Sequence, residues 1–183
     1  VYGPRGVALD SARQRLFVAD TYNNRVVVFD VSTIDAGQAA VYVLGQANFS
    51  SASADGTQST LRSPSDVAVD VSSGRLFVAD TGNHRVVVFE TTVLWNGKAA
   101  SLVLGQGNFT AQSSSSSSTG MWSPSGVAFD PAYSRLFVGD TGNHRVLLFD
   151  AKSLATGMAA QNVIGQSDWG WSSSGLSASA LSS

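Results

Sequence analysis

The apolar residues of this chain lie in short runs, separated by polar segments rich in Gly, Asn, Asp, Ser and Pro. Runs of Val, Leu and Phe with such boundaries predict β-strands. Each stretch of sixty residues holds four runs, named A to D here in chain order. Runs B and C are apolar at consecutive positions, so both faces of these strands must be covered by protein. The pattern therefore excludes a sheet with one face in water.

The four runs recur three times at a constant spacing of sixty residues. The repeats span 4–63, 64–123 and 124–183, and each opens on a proline: Pro4, Pro64 or Pro124. Four-stranded units that need a neighbour on each face are typical of the blades of a β-propeller. A β-solenoid is the competing interpretation, but its coils are usually shorter and more even. The predicted fold class is all-β, a β-propeller segment with three blades in this chain.

Three blades alone leave an apolar sheet face at each end, and repeat arrays either cap such faces or close into a ring. Two hypotheses supply the missing blades. Two copies of the chain form a six-bladed ring as a dimer, or the chain is a piece of a longer propeller. The second is favoured because the chain begins at Val1 rather than at a methionine.

Runs B and C are joined by a recurring polar segment. In the second repeat it reads DTGNHR, from Asp80 to Arg85. An Asp carboxylate can accept backbone N–H bonds across a turn, and Gly and Asn tolerate positive φ. We therefore predict a B–C hairpin whose left-handed residue is Asn23, Asn83 or Asn143.

The segment ADTGNHRV, preceded by LFV and followed by an apolar strand, resembles the NHL repeat. The resemblance extends in register over all three units, although these units exceed the usual length of the family's repeat. It implies a propeller, commonly of six blades. Strand ends of the form VLGQ-x-NF look like those of bacterial surface or secreted proteins, which implies an extracellular or cell-surface location.

Composition and charge exclude several function classes. With 11 basic and 13 acidic residues the formal net charge is −2, so there is no broad positive field and no nucleic-acid partner is expected. The absence of Cys excludes disulfides, thiolate catalysis and zinc–thiolate sites. No apolar run approaches the roughly 20 residues that cross a bilayer, so no membrane span is expected.

Alternating strand directions place the B–C turns and the D–A loops on one rim. The D–A loops span 46–63, 106–123 and 166–183, vary most between repeats and carry aromatic residues. Variable loops on a constant scaffold favour recognition, and Trp122 and Trp171 have no repeat counterpart of the same type. We predict a ligand-binding rim that includes Trp122, Trp171, His84, His144, Arg85 and Arg145.

Three of the loop aromatics, Phe49, Phe109 and Trp169, occupy one repeat position and are expected to anchor each loop to its own blade. The arginines that open run C allow two interpretations. They pair with Asp residues of the turns and strand ends as charge-assisted hydrogen bonds, or they form a ring that binds an acidic ligand.

Two loop asparagines, Asn48 and Asn108, match the N-glycosylation sequon, whereas the third repeat has Asp168 at this position. Both are predicted as glycosylation sites if the protein is secreted by a eukaryote. The alternative is that Asn-Phe-Ser/Thr is simply how this repeat ends run D.

The function we predict is a non-enzymatic extracellular interaction module that binds protein, peptide or glycan through the rim. The turn motif occurs in every repeat, which favours a structural role over catalysis, and two histidines do not complete a metal site. No catalytic residue, metal or cofactor is therefore predicted. One alternative is an architectural subunit of a filament or surface layer; another is a propeller enzyme of the amidating-lyase or lactonase type.

Overall fold

The computed structural model describes residues 1–175 and contains three antiparallel sheets of four strands each. Residues 176–183, the end of the predicted third repeat and of its D–A loop, lie outside the described residues. Each sheet is a meander whose strands neighbour one another in chain order, so the all-β, three-blade prediction is confirmed. The strands are β1 Pro4–Asp10, β2 Arg15–Asp20, β3 Arg25–Asp30, β4 Tyr42–Leu44, β5 Pro64–Asp70, β6 Arg75–Asp80, β7 Arg85–Glu90, β8 Leu102–Leu104, β9 Pro124–Asp130, β10 Arg135–Asp140, β11 Arg145–Asp150 and β12 Asn162–Ile164.

The middle strands are covered on both faces, as their continuous apolar runs require. On β6, Leu76 packs into a core between the first and second blades, and Phe77 packs into a second core between the second and third. Both side chains are fully buried. Burial of one such side chain contributes about 1.5–3 kcal/mol, so each blade is stabilised mainly by its neighbours.

The end blades each keep one face without a neighbouring blade among residues 1–175. On β1, Val7 is 60% exposed and Leu9 is 52% exposed. On the opposite end of the stack, Ile164 of β12 is 51% exposed. These apolar faces are where the predicted further blades would pack.

The long C–D segments cover the outer edge of the preceding blade. Gly97 donates its N–H to the Val43 carbonyl at 3.1 Å, and Val43 donates to the side chain of Asn96 at 3.1 Å. The same pair of contacts joins 156–157 to Val103 in the next blade. Because an outer strand otherwise presents unpaired backbone groups, the extra length of these repeats has a structural use.

Each B–C connection is a short 3₁₀ turn, and its left-handed residue differs from the prediction. The turns span Thr21–Asn23, Thr81–Asn83 and Thr141–Asn143. Positive φ falls one residue later, at Asn24, His84 and His144, with values of 53°, 54° and 52°. The prediction of Asn23, Asn83 and Asn143 was wrong because the 3₁₀ turn takes up one more residue than a two-residue hairpin turn would.

Candidate functional site

A buried carboxylate holds each B–C turn. Asp80 accepts hydrogen bonds from Arg85 Nε at 2.6 Å and from Asn83 Nδ2 at 2.8 Å. Its other oxygen accepts the backbone N–H of Arg62, at the end of the D–A loop, at 2.6 Å. The predicted backbone bonds within the turn are therefore replaced by side-chain bonds and a bond to the loop. The equivalent carboxylates are Asp20 and Asp140.

The balance of burial and hydrogen bonding differs among these carboxylates. Desolvation raises the pKa of Asp80, although the Arg85 guanidinium and the neighbouring donors oppose that shift. The pKa of Asp140 is raised for the same reason. Burial also raises the pKa of Asp20, but there the donors Tyr2, Asn23 and Arg25 prevail and the net pKa is lowered. Asp20 lies in the first blade, where only residues 1–3 stand in place of the D–A loop that precedes each of the other two turns.

The turn arginines organise the D–A loops. Arg85 Nη2 donates to the Thr57 carbonyl at 2.8 Å and to the Thr60 carbonyl at 3.0 Å, and Nη1 donates to the Phe109 carbonyl. Arg145 binds the carbonyls of 116, 117, 120 and 169 in the same way. Each arginine therefore joins its own D–A loop to the loop of the preceding repeat.

The prediction that Arg85 and Arg145 belong to a ligand-binding surface was wrong, because both side chains are buried. Arg85 is 0% exposed and Arg145 is 1% exposed. Their ion pairs with Asp80 and Asp140 measure 2.6 and 2.7 Å. The first of the two interpretations of these arginines, pairing with the turn Asp, is the one that the structure shows.

A glutamine at the end of run D is a loop anchor that the sequence analysis missed. Gln106 Nε2 donates to the His84 carbonyl at 3.0 Å and to the Ser113 carbonyl at 2.9 Å. Gln46 and Gln166 make the equivalent bonds in their own repeats. The recurrence of Gly-Gln at one repeat position was the signal that could have identified this role.

A family model described as NHL repeat matches residues 1–29 and 61–89. The first two of the three repeats of this chain are thus similar to NHL repeats. Human NHL repeat-containing protein 2 is 34% identical over 87 residues, which cover 48% of this chain and 12% of that protein. The protein of the same name from Gallus gallus is 32% identical over 98 residues, or 50% of this chain and 12% of that protein. The chain thus spans a small part of the length of the curated relatives it matches.

A solved structure supports the fold of the three blades. Kuenenia stuttgartiensis hydrazine synthase superposes with a TM-score of 0.59 over 92% of this chain and 37% of that chain, at 16% sequence identity. At this identity the similarity shows the fold alone. NHL-repeat propellers typically mediate protein interactions.

The rim that carries the B–C turns presents exposed aromatic side chains. Trp122 is 47% exposed and Trp171 is 57% exposed, as a binding surface requires. The first blade adds Tyr2 and Tyr22, which the sequence analysis did not single out; their ring centroids lie 5.0 Å apart. Tyr2 occupies the repeat position of Trp122. The signal that could have identified Tyr2 was therefore a planar side chain at this position, not a constant residue type.

The anchors of the D–A loops are partly those predicted. Phe109 and Trp169 pack against the two cores, but Phe49 is 41% exposed. The fully buried anchors are Leu61 and Met121, at one repeat position just before the next blade. These aliphatic residues hold the loops between the blades.

Both sequon asparagines lie on the surface, at the start of the D–A loops. Asn108 Oδ1 accepts the N–H groups of Thr110 at 3.0 Å and Ala111 at 2.9 Å, and Asn48 makes the same turn. Asp168 replaces them in the third repeat, where its Oδ1 accepts the Gly170 N–H at 2.8 Å. The motif therefore has a structural use, and glycosylation of Asn48 and Asn108 stays a prediction.

Within residues 1–175, no three His, Cys, Asp or Glu side chains lie together as metal ligands would. In the same residues, no helix has the length and apolar character to cross a membrane.

His84 joins the second B–C turn to the end of the D–A loop, directly before the third blade. Its Nδ1 accepts the backbone N–H of Ser123 at 3.0 Å, which requires Nδ1 to be unprotonated. Burial lowers the pKa of His84, the nearby positive charge of Arg62 lowers it further, and Asp140 opposes both. In the first blade Asn24 makes the same contact without titrating: its Oδ1 accepts the Ser63 N–H at 2.8 Å.

We expect His84→Asn to remove an acid-induced loss of stability. A lowered folded-state pKa means that the contribution of His84 is fully present above the unfolded pKa of about 6.5 and is lost as the pH falls below it. The variant should match the wild type near pH 8 and lose less stability near pH 5. Urea unfolding across this range measures the difference. Asn24→Ala is the control: it removes the equivalent contact of a side chain that does not titrate, so its cost should be the same at both pH values; an unchanged acid-induced loss in His84→Asn would contradict the prediction.

Proposed function

We propose that this NHL-repeat chain is part of a non-enzymatic interaction module that acts outside the cell or at its surface. It binds protein, peptide or glycan through the rim of B–C turns and D–A loops. The observation that carries the proposal is a set of exposed aromatic side chains on this rim: Tyr2, Tyr22, Trp122 and Trp171.

The backbone of the D–A loops that carry Trp122 and Trp171 is fixed by hydrogen bonds to polar side chains of the blade. Arg145 and Gln166 bind loop carbonyls on both sides of the third B–C turn. A surface with a fixed backbone loses less conformational entropy when a partner binds. Aromatic anchors on such a surface often contribute most of the binding energy.

The exposure of Asn48 and Asn108 supports a location outside the cell, because a glycan can be attached only where the side chain is accessible. The low charge of the rim is compatible with that setting. The buried turn arginines are neutralised by Asp80 and Asp140, so they add no positive field to the surface.

Ligand selection with matched variants tests the proposal. A phage-displayed random peptide library and a panel of immobilised glycans serve as probes. Ligands of the wild-type chain should bind at least about ten-fold more weakly to Tyr22→Ala/Trp122→Ala/Trp171→Ala. They should bind normally to Trp95→Ala, which removes a 53% exposed tryptophan from a C–D segment on the other rim.

Two results would contradict the proposal. One is a set of ligands that are lost with Trp95→Ala and kept by the triple variant. The other is the absence of any ligand together with assembly that grows with protein concentration, which would support the architectural alternative.

A further inference from the structure

We infer that the third blade binds a neutral sugar residue in a cleft beside Trp122, with the sugar ring stacked on the indole and its hydroxyls bonded to serine hydroxyls and to Asn143. This inference rests on the proposed function, because the cleft opens on the same rim. It specifies the ligand class and the residues that bind it.

The cleft lies between the D–A loop of the second repeat and the third B–C turn. Its volume is about 350 Å³, near the lower end of the range for small-molecule sites. The lining residues are Ser114, Ser115, Ser116, Trp122, Asn143 and Ser172. None of them carries a charge.

Trp122 forms a fixed wall of this cleft. Its backbone N–H donates to Asp140 at 2.7 Å, and its carbonyl accepts the Gly142 N–H at 2.8 Å. The indole lies directly on the turn, since a Cβ at Gly142 would come within 2.5 Å of the Trp122 Cγ. A flat apolar ring that is held on one side and open on the other suits the apolar C–H face of a pyranose.

Asn143 supplies a buried acceptor. The residue is 2% exposed, and its Nδ2 donates to the Ser115 carbonyl at 2.9 Å and to Asp140 at 2.8 Å. Both bonds use the amide nitrogen, and no bond to the amide oxygen is made within residues 1–175, so this oxygen is available for a donor in the cleft. The neighbouring carbonyls of 116 and 117 are taken by Arg145. The Ser115 hydroxyl is bonded to Ser117 within the loop, so the serine run offers the cleft the hydroxyl groups of Ser114 and Ser116, each of which can donate and accept.

In the second repeat, the position equivalent to this cleft is filled by a side chain. There Asn83 Nδ2 bonds the Asp55 carbonyl at 3.2 Å and Asp80 at 2.8 Å, as Asn143 does one repeat later. However, the long side chain of Gln112 lies against Gly56, where a Cβ would come within 2.0 Å of the Gln112 Nε2. Ser172 replaces Gln112 in the third repeat, and Trp122 replaces Arg62. The surrounding scaffold is thus shared by the two repeats, whereas the open cleft is found beside the third B–C turn and not beside the second.

The lining favours a neutral sugar over a peptide or an acidic ligand. The cleft offers hydroxyl groups, one amide oxygen and one aromatic face, but no deep apolar pocket for a peptide side chain. The Arg145 guanidinium binds the backbone carbonyl of the lining residue Ser116, but it is 1% exposed and paired with Asp140. An acidic ligand would therefore meet no free positive charge.

Titration with simple sugars tests the inference. The probes are the methyl glycosides of glucose, galactose, mannose and N-acetylglucosamine, and the readouts are saturation-transfer NMR and tryptophan fluorescence of the full natural chain. At least one glycoside should bind, and Trp122→Ala should weaken its binding about ten-fold or more. Ser116→Gly/Ser172→Gln should weaken it equally while the melting temperature holds, because this pair reproduces Gly56 and Gln112, which fill the equivalent place in the second repeat. Trp95→Ala is the control and should bind as the wild type does.

The outcomes separate this inference from the proposed function. If no neutral glycoside binds while rim-dependent peptides are selected, the sugar inference is wrong and the rim function stands. If a glycoside binds equally well to Trp122→Ala and Ser116→Gly/Ser172→Gln, the cleft is not the site and the inference is again overturned. If neither sugars nor peptides bind, both proposals fail.

Discussion

Arg85→Ala is expected to lower the free energy of unfolding by about 3–5 kcal/mol, the usual cost of removing one partner from a buried ion pair. The change would leave the Asp80 carboxylate charged, fully buried and without its counter-ion. It would also remove the donors that hold the carbonyls of Thr57, Thr60 and Phe109. Urea unfolding monitored by tryptophan fluorescence measures the difference.

Two further variants separate the buried charge from a general effect of losing an arginine. Arg75→Ala removes a half-buried arginine of the same blade, whose nearest carboxylate, Glu90, lies 3.7 Å away. This variant should cost about 1–2 kcal/mol, for a weak ion pair and one hydrogen bond to the Ala151 carbonyl. Asp80→Asn/Arg85→Ala should be more stable than Arg85→Ala alone, because no uncompensated charge remains. A double variant that loses the sum of both single costs would show that the pair is not coupled.

The blade architecture was predictable because it follows from short-range patterns that recur. Four apolar runs per sixty residues specify four strands, and continuous apolar residues in runs B and C specify cover on both faces. Leu76 and Phe77 meet this requirement by packing into two different cores. The pairing of the turn Asp with the Arg that opens run C was also accessible, since the two types recur together at constant spacing.

The site was less predictable because it depends on contacts between loops of different repeats. The sequence does not show that Gln112 lies against Gly56, or that Ser172 leaves the equivalent place open. Nor does it show that Arg85 is enclosed by carbonyls from two loops, which removes it from the surface. The left-handed residue was predicted one position too early, at Asn83 instead of His84, because the sequence does not show that Asn83 is the last residue of a 3₁₀ turn.

Leu61→Ala should destabilise the chain by about 2–5 kcal/mol, the range for truncating a buried leucine. Leu61 is 1% exposed and packs in the core between the first and second blades. It also lies directly against Gly45, where φ is +79° and an added Cβ would meet the leucine within 2.4 Å. Because backbone and side chain fit so closely here, the smaller residue leaves a cavity that the neighbours cannot easily fill.

The loss should be concentrated in the first D–A loop, so amide exchange in 51–60 should accelerate more than in β6. Phe49→Ala is the control: it removes a larger side chain from the same loop, but one that is 41% exposed, and should cost about 1 kcal/mol or less. If Phe49→Ala proved as costly as Leu61→Ala, the aromatic at the start of the loop would be its anchor, as the sequence predicts. If Leu61→Ala is the more costly variant, as expected, the loop is anchored by the buried aliphatic residue at its end. This residue then fixes the binding rim to the propeller.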